Sequence, residues 1–198
     1  MIQLITTLFV TLAVAISPRA VVPLPVSVTE MEGTCTLQQN PTLKVVCKSD
    51  CEGVDALKDY AKDELGWTLS EKGDIVITLG DRNFVKKVNA DASIREDCRD
   101  AAYSLTIGKK GIDIKALAPK GAFYALQTLR QMAASGDELQ CCAVYDWPRF
   151  PYRGLMIDVS RNFRDRQFIE KQIDAMALLK MDKLHLHLMD DAGWRIQI

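Results

Sequence analysis

The chain has 198 residues, 48% of them hydrophobic, and its 25 lysines and arginines against 26 aspartates and glutamates leave a formal net charge of −1. That composition excludes a disordered chain and is sufficient for one good core or two small ones. It also lacks the strong net field that would draw nucleic acid or an anionic membrane over long range, so no nucleic acid partner is expected.

The first stretch, MIQLITTLFVTLAVAIS, is almost uncharged and ends in small residues ahead of Pro18 and Arg19. It reads as a signal peptide over residues 1–17, since its apolar run is shorter than the about 20 residues a membrane span needs. Export would place the chain in the secretory pathway (secreted, periplasmic or lysosomal). There the six cysteines, Cys35, Cys47, Cys51, Cys98, Cys141 and Cys142, would meet conditions in which disulfides persist. Sequence cannot choose among their pairings. Zinc is the weaker reading, because CKSDC has three intervening residues and no second ligand cluster at zinc-finger spacing follows.

From Val54 to Leu65, VDALKDYAKDEL puts Val54, Leu57, Ala61 and Leu65 on one helical face, with Gly66 as a stop. DIVITLG reads as a strand, and YSLTIGKKGIDIKAL as a hairpin that turns between Gly108 and Gly111. After Pro119 and Gly121, Phe123, Leu126, Leu129 and Ala133 resume helical spacing. The mixture predicts a small α+β domain over roughly residues 25–136.

ASGDEL is a polar break, and YDWPRFPYRG carries two prolines that hold the chain extended into a second unit near residue 146. GLMIDVS is a mostly apolar strand over 154–160, RQFIEKQIDAMALLKM a helix over 166–181, and KLHLHLM a second strand. Two strands joined by a helix make a βαβ unit, so the strands should run parallel. On the second strand Leu184, Leu186 and Leu188 share the face expected to pack on the helix, while His185, His187 and Met189 share the other. In a (β/α)8 barrel that other face is the filled interior.

The two histidines suggest a metal, but no third ligand is apparent nearby, so no metal is expected. Asp190 and Asp191 suggest a glycosidase pair, yet neighbouring strand residues point to opposite faces and cannot easily flank one bond. A turn leaving the strand is their plain alternative. Arg161 lies just past the first strand and Asp190 just past the second, at the ends that build the active face of parallel barrels. A guanidinium with five fixed donors beside a carboxylate acceptor suits sugar hydroxyls, or the two groups suit each other.

DWPRFPYRGLMIDVSRNF, followed by IDAMALLKMDKLHLHLMDDAGWRIQI, closely resembles the start of the catalytic domain of family 20 glycoside hydrolases, the β-N-acetylhexosaminidases. YSLTIGKKGIDIKALAPKGAFYALQTLRQM is similar to the end of the small α+β domain that precedes the barrel in many members. The resemblance implies removal of terminal β-linked N-acetylglucosamine or N-acetylgalactosamine with retention, in which the sugar's own acetamido oxygen is the nucleophile and no cofactor is needed. It implies that Arg161 and Asp190 bind the terminal sugar and that Asp158 and His187 support them. Trp194 also falls in the motif, as a packing or a stacking residue. Asn162 and Leu186 stand where the family often has His and Trp.

A closed barrel takes eight strands and about 250 residues, so residues 146–198 correspond to the first β-α-β unit of an incomplete (β/α)8 TIM barrel. The family's catalytic Asp-Glu pair lies on a later strand, and no residue here is assigned as catalytic. The expectation is a truncated portion of a glycosidase, inactive alone, whose partner is a glycan or glycoconjugate carrying N-acetylhexosamine. The alternative is a non-catalytic secreted module, derived from such an enzyme, that binds carbohydrate or protein. Oligomeric state is not legible.

Overall fold

A computed structural model describes residues 17, 20–48, 51–191 and 193–195. The signal peptide expected over 1–17 lies, apart from Ser17, outside the described residues.

Among the described residues the first unit is built on a seven-stranded sheet in the order β1-β7-β5-β6-β4-β2-β3. Its strands are β1 (Ser27–Thr36), β2 (Thr42–Cys47), β3 (Thr68–Leu69), β4 (Ile75–Leu79), β5 (Tyr103–Gly108), β6 (Gly111–Ala116) and β7 (Glu138–Asp146). Alternation drives the central hairpin: Tyr103, Leu105 and Ile107 on β5 face Ala116, Ile114 and Ile112 on β6, and all six are buried. β4 lies parallel to β2 and β6, whereas β5, β7 and β1 are antiparallel.

The helix α3 (Pro119–Met132) covers the core face, burying Tyr124, Ala125, Leu126, Thr128 and Leu129. It starts at Pro119 rather than after Gly121, because proline's fixed φ suits the first helical position and its missing N–H has no partner there to lose. The helix expected over 54–65 is α1 (Val54–Asp59), and it winds into a π turn over Tyr60–Glu64 that closes through Leu65 N–H to Tyr60 O, 3.3 Å. Leu57 and Ala61 are buried, as its apolar face requires. A short helix, α2 (Arg82–Ala90), is capped by Asp81 accepting from Phe84 N–H and packs Phe84 edge-on to Tyr145. Cys47 and Cys51 form a disulfide, and the other four cysteines are buried thiols. Strand β7 carries the sheet to Asp146, beyond the expected 25–136 span.

The second unit is β8 (Gly154–Asp158), α4 (Arg166–Leu178) and β9 (Lys183–His187), with β8 and β9 parallel as the connection predicts. α4 starts on Asp165, which accepts from Phe168 N–H, and stops three residues before the expected Met181. Lys180 adopts φ 59°, and the bonds Lys180 N–H to Ala177 O (3.0 Å) and Met181 N–H to Met176 O (2.8 Å) close a Schellman motif. Glycine usually occupies that left-handed position; here a lysine does.

The reason lies in what Lys180 reaches. Its Nζ stands 2.9 Å from Asp146 Oδ2 and 2.8 Å from Tyr103 Oη, and the Tyr103 hydroxyl also lies 2.8 Å from Asp146 Oδ2 and 2.6 Å from Thr128 Oγ1. Burial pushes the ammonium toward losing its proton, and the Asp146 carboxylate opposes it. The two units are further joined by Arg153, which donates to Lys180 O (2.7 Å) and Tyr124 Oη (2.6 Å), and by Gln131 Nε2 to Leu178 O (2.9 Å).

Candidate functional site at the strand exits

Parallel register places Met156 beside His185 and Asp158 beside His187 on one face of the β8–β9 pair, while Leu155, Ile157, Leu184 and Leu186 turn to the other. The leucine face expected to pack on α4 is covered only in part: Leu186 remains 36% exposed, because α4 buries Met176 alone among its residues.

Beyond β8 the chain makes a tight turn organised by Asp158. Its Oδ1 accepts from the N–H groups of Ser160 (3.0 Å) and Arg161 (2.9 Å), and its Oδ2 receives the Nε of Arg161. Beyond β9 the chain forms a small hairpin, β10 (Met189–Asp190) and β11 (Gly193–Trp194). Asp190 Oδ2 comes within 3.2 Å of both Arg161 Nε and His187 Nε2, and its Oδ1 accepts from Asp191 N–H at 2.7 Å. Arg161, Asp190, Asp158 and His187 are therefore brought into one cluster at the strand exits. Asp191 is exposed in the turn, where its backbone N–H rather than its carboxylate meets Asp190.

The backbone N–H of Arg161, followed by its guanidinium, holds the Asp158 carboxyl below the usual carboxylate range. For Asp190 the Asp191 N–H comes first, then His187 and Arg161. Asp158 in turn raises the Arg161 guanidinium. All three groups are charged at neutral pH, and neither carboxyl is poised to donate a proton there. What remains is hydrogen bonding: Arg161 is 63% exposed, and among the described residues its terminal nitrogens make no hydrogen bond. Free guanidinium donors beside an accepting carboxylate match a pair of neighbouring hydroxyls.

Folding supplies the ligand neighbours that the sequence did not reveal, since donor atoms of Asp158, His187 and Asp190 lie within 4.8 Å of one another. The positive charge at that point is already Arg161's, and a divalent cation there would be set against the guanidinium. Trp194 is half-exposed and pairs across the hairpin with Met189. Sequence reasoning missed Ser160 and Arg195, which tie the hairpin to the β8 exit, since no local pattern marks a contact between segments so far apart.

The model of the catalytic domain of glycosyl hydrolase family 20 matches residues 150–198, and that of the family's domain 2 matches residues 19–147. An N,N'-diacetylchitobiase of Vibrio harveyi is 47% identical over 105 residues, 52% of this chain and 12% of that protein. A beta-hexosaminidase of Porphyromonas gingivalis is 30% identical over 190 residues, 90% of this chain and 23% of that protein. Among solved structures, a mutant Streptomyces plicatus beta-hexosaminidase in complex with its product GlcNAc superposes with a TM-score of 0.71 at 28% identity, covering 90% of this chain and 36% of that one. The chain thus spans well under half the length of the relatives it matches.

Proposed function

The chain belongs to glycosyl hydrolase family 20, and from that premise we propose that its strand exits hold the non-reducing N-acetylhexosamine of a β-linked glycan during hydrolysis. Arg161 donates to the sugar's hydroxyls through its free terminal nitrogens, and Asp190 accepts from them. Asp158 holds Arg161 in the orientation its backbone dictates, and His187 braces Asp190. The observation that carries this reading is the 3.2 Å approach of Arg161 Nε to Asp190 Oδ2, two groups that leave different strands. Relatives named as chitobiase and beta-hexosaminidase, one of them holding GlcNAc, support the choice of sugar.

The proton donor for the leaving oxygen is not among these residues, because the carboxyls of the cluster are held ionised rather than protonated. Residues 146–198 supply the sugar-holding part of a barrel whose acid and acetamido-orienting groups stand elsewhere. Export completes the proposal, and the Cys47–Cys51 disulfide supports it.

The test is an assay of the 198-residue chain on a chromogenic β-N-acetylglucosaminide, together with calorimetric titration of N-acetylglucosamine. Binding without turnover is expected. Turnover would overturn the assignment of the acid elsewhere, and absence of binding would overturn the sugar site.

A further inference from the structure

The hairpin that carries Asp190 has two residues per strand, too few ladder bonds to hold itself in place. Its position relative to Arg161 must come from other contacts. Arg195 donates from Nε to Val159 O at 3.1 Å and from Nη2 to Ser160 O at 3.0 Å, while its backbone N–H reaches Leu188 O at 3.1 Å. Ser160, almost fully buried, donates from Oγ to Gly193 O at 2.7 Å. A Cβ on Gly193 would stand 3.0 Å from Ser160 O and 3.1 Å from Ser160 Oγ, so glycine lets the two segments come this close.

The two carbonyls gripped by Arg195 belong to the residues that immediately precede Arg161. One side chain thus holds both the peptide from which Arg161 departs and the end of the hairpin that carries Asp190. Its guanidinium is engaged by those carbonyls and by the ring of Phe163, whose centroid lies 5.4 Å away. Asp158, by contrast, holds Arg161 from within the same turn.

We propose that Arg195 is a positioning residue that, with Ser160 and Gly193, sets the distance between Arg161 and Asp190 and so the spacing of the sugar hydroxyls the pair accepts. The inference rests on the reading that this pair holds a terminal N-acetylhexosamine. Without Arg195 the Arg161–Asp158 bonds persist and the Arg161–Asp190 approach is lost.

The experiment titrates N-acetylglucosamine into the 198-residue chain and its R195A, R195K, G193A, D190N and R195A/D190N variants, following sugar affinity and the NMR resonance of the Arg161 Nε–H. Loss of Arg195 should weaken binding about tenfold, the scale of one charge-assisted hydrogen bond. R195K, which can reach one carbonyl but not two in the same plane, should fall between R195A and the parent. R195A/D190N should bind no worse than D190N, because Arg195 acts through Asp190. Parent-like binding by R195A, or a loss that adds in full to that of D190N, would overturn the inference. If the parent binds no sugar, the functional reading fails and the resonance decides alone: in R195A it should move toward its position in D190N, and an unmoved resonance sinks the positioning role. G193A removes no charge or donor, so a shift of the same sense there is expected even if R195A fails to fold; its absence counts against the proposal.

Discussion

Lys180 and Arg161 each meet an aspartate carried by a different element, yet the two pairs do opposite work. The Lys180–Asp146 pair is 7% and 10% exposed, and a tyrosine hydroxyl and the Val26 N–H complete its hydrogen bonds. Arg161 and Asp190 are 63% and 33% exposed, with guanidinium donors left over. Burial makes the first pair a joint between the two units, because each charge has lost its water and depends on the other. Exposure makes the second worth little to stability and leaves it able to exchange partners with a ligand.

The sharpest way to break that contrast is to remove one charge from each pair. K180A should destabilise the chain by about 3–5 kcal/mol in chemical denaturation, since it strands Asp146 in the interior. K180G should lose less than K180A, by about 1 kcal/mol, because glycine adopts φ 59° freely. If K180A melts like the parent, the joint is not a joint. R161A should leave the melting midpoint where it was and abolish sugar binding, the reverse of K180A. Any marked loss of stability in R161A would erase the distinction between the two pairs.

A smaller effect follows from pH. The folded pKa values of Asp158 and Asp190 are depressed, so their contribution is present above the ordinary carboxylate value of about 4 and is lost as pH falls through the lower folded values. Sugar affinity should therefore hold steady from neutral pH down to that range and fall below it. A decline beginning well above it would mean that some other group controls the site. The smallest effect is expected at Arg166, whose bond to Glu170 joins two exposed side chains one helical turn apart: R166A should change neither the melting midpoint nor sugar affinity.

The same contrast governs what the sequence made legible. Arg161 and Asp190 could be found because one follows a short apolar strand and the other a strand of clear alternation, and parallel strands bring their exits to one rim. The role proposed for them came from the resemblance and not from the spacing. Lys180 could not, because lysine is an ordinary helix residue and nothing in LLKMD marks a left-handed stop; only Asp146, distant in sequence, explains it. The strands β1, β2 and β7 also escaped. In β7 the adjacent Cys141 and Cys142 are both buried, which breaks the alternation that betrays a strand, and in β1 the register shifts between Glu30 and Thr34. The helix α2 escaped because it is short and polar, with only Phe84 and Val88 buried.

The most direct measurement is a structure of the chain crystallised with N-acetylglucosamine at saturating concentration. One sugar ring is expected at the strand exits, with a hydroxyl within hydrogen-bond distance of an Arg161 terminal nitrogen and the same or the neighbouring hydroxyl on Asp190. A ring bound elsewhere, or an Arg161–Asp190 pair that excludes the sugar under those conditions, would contradict it.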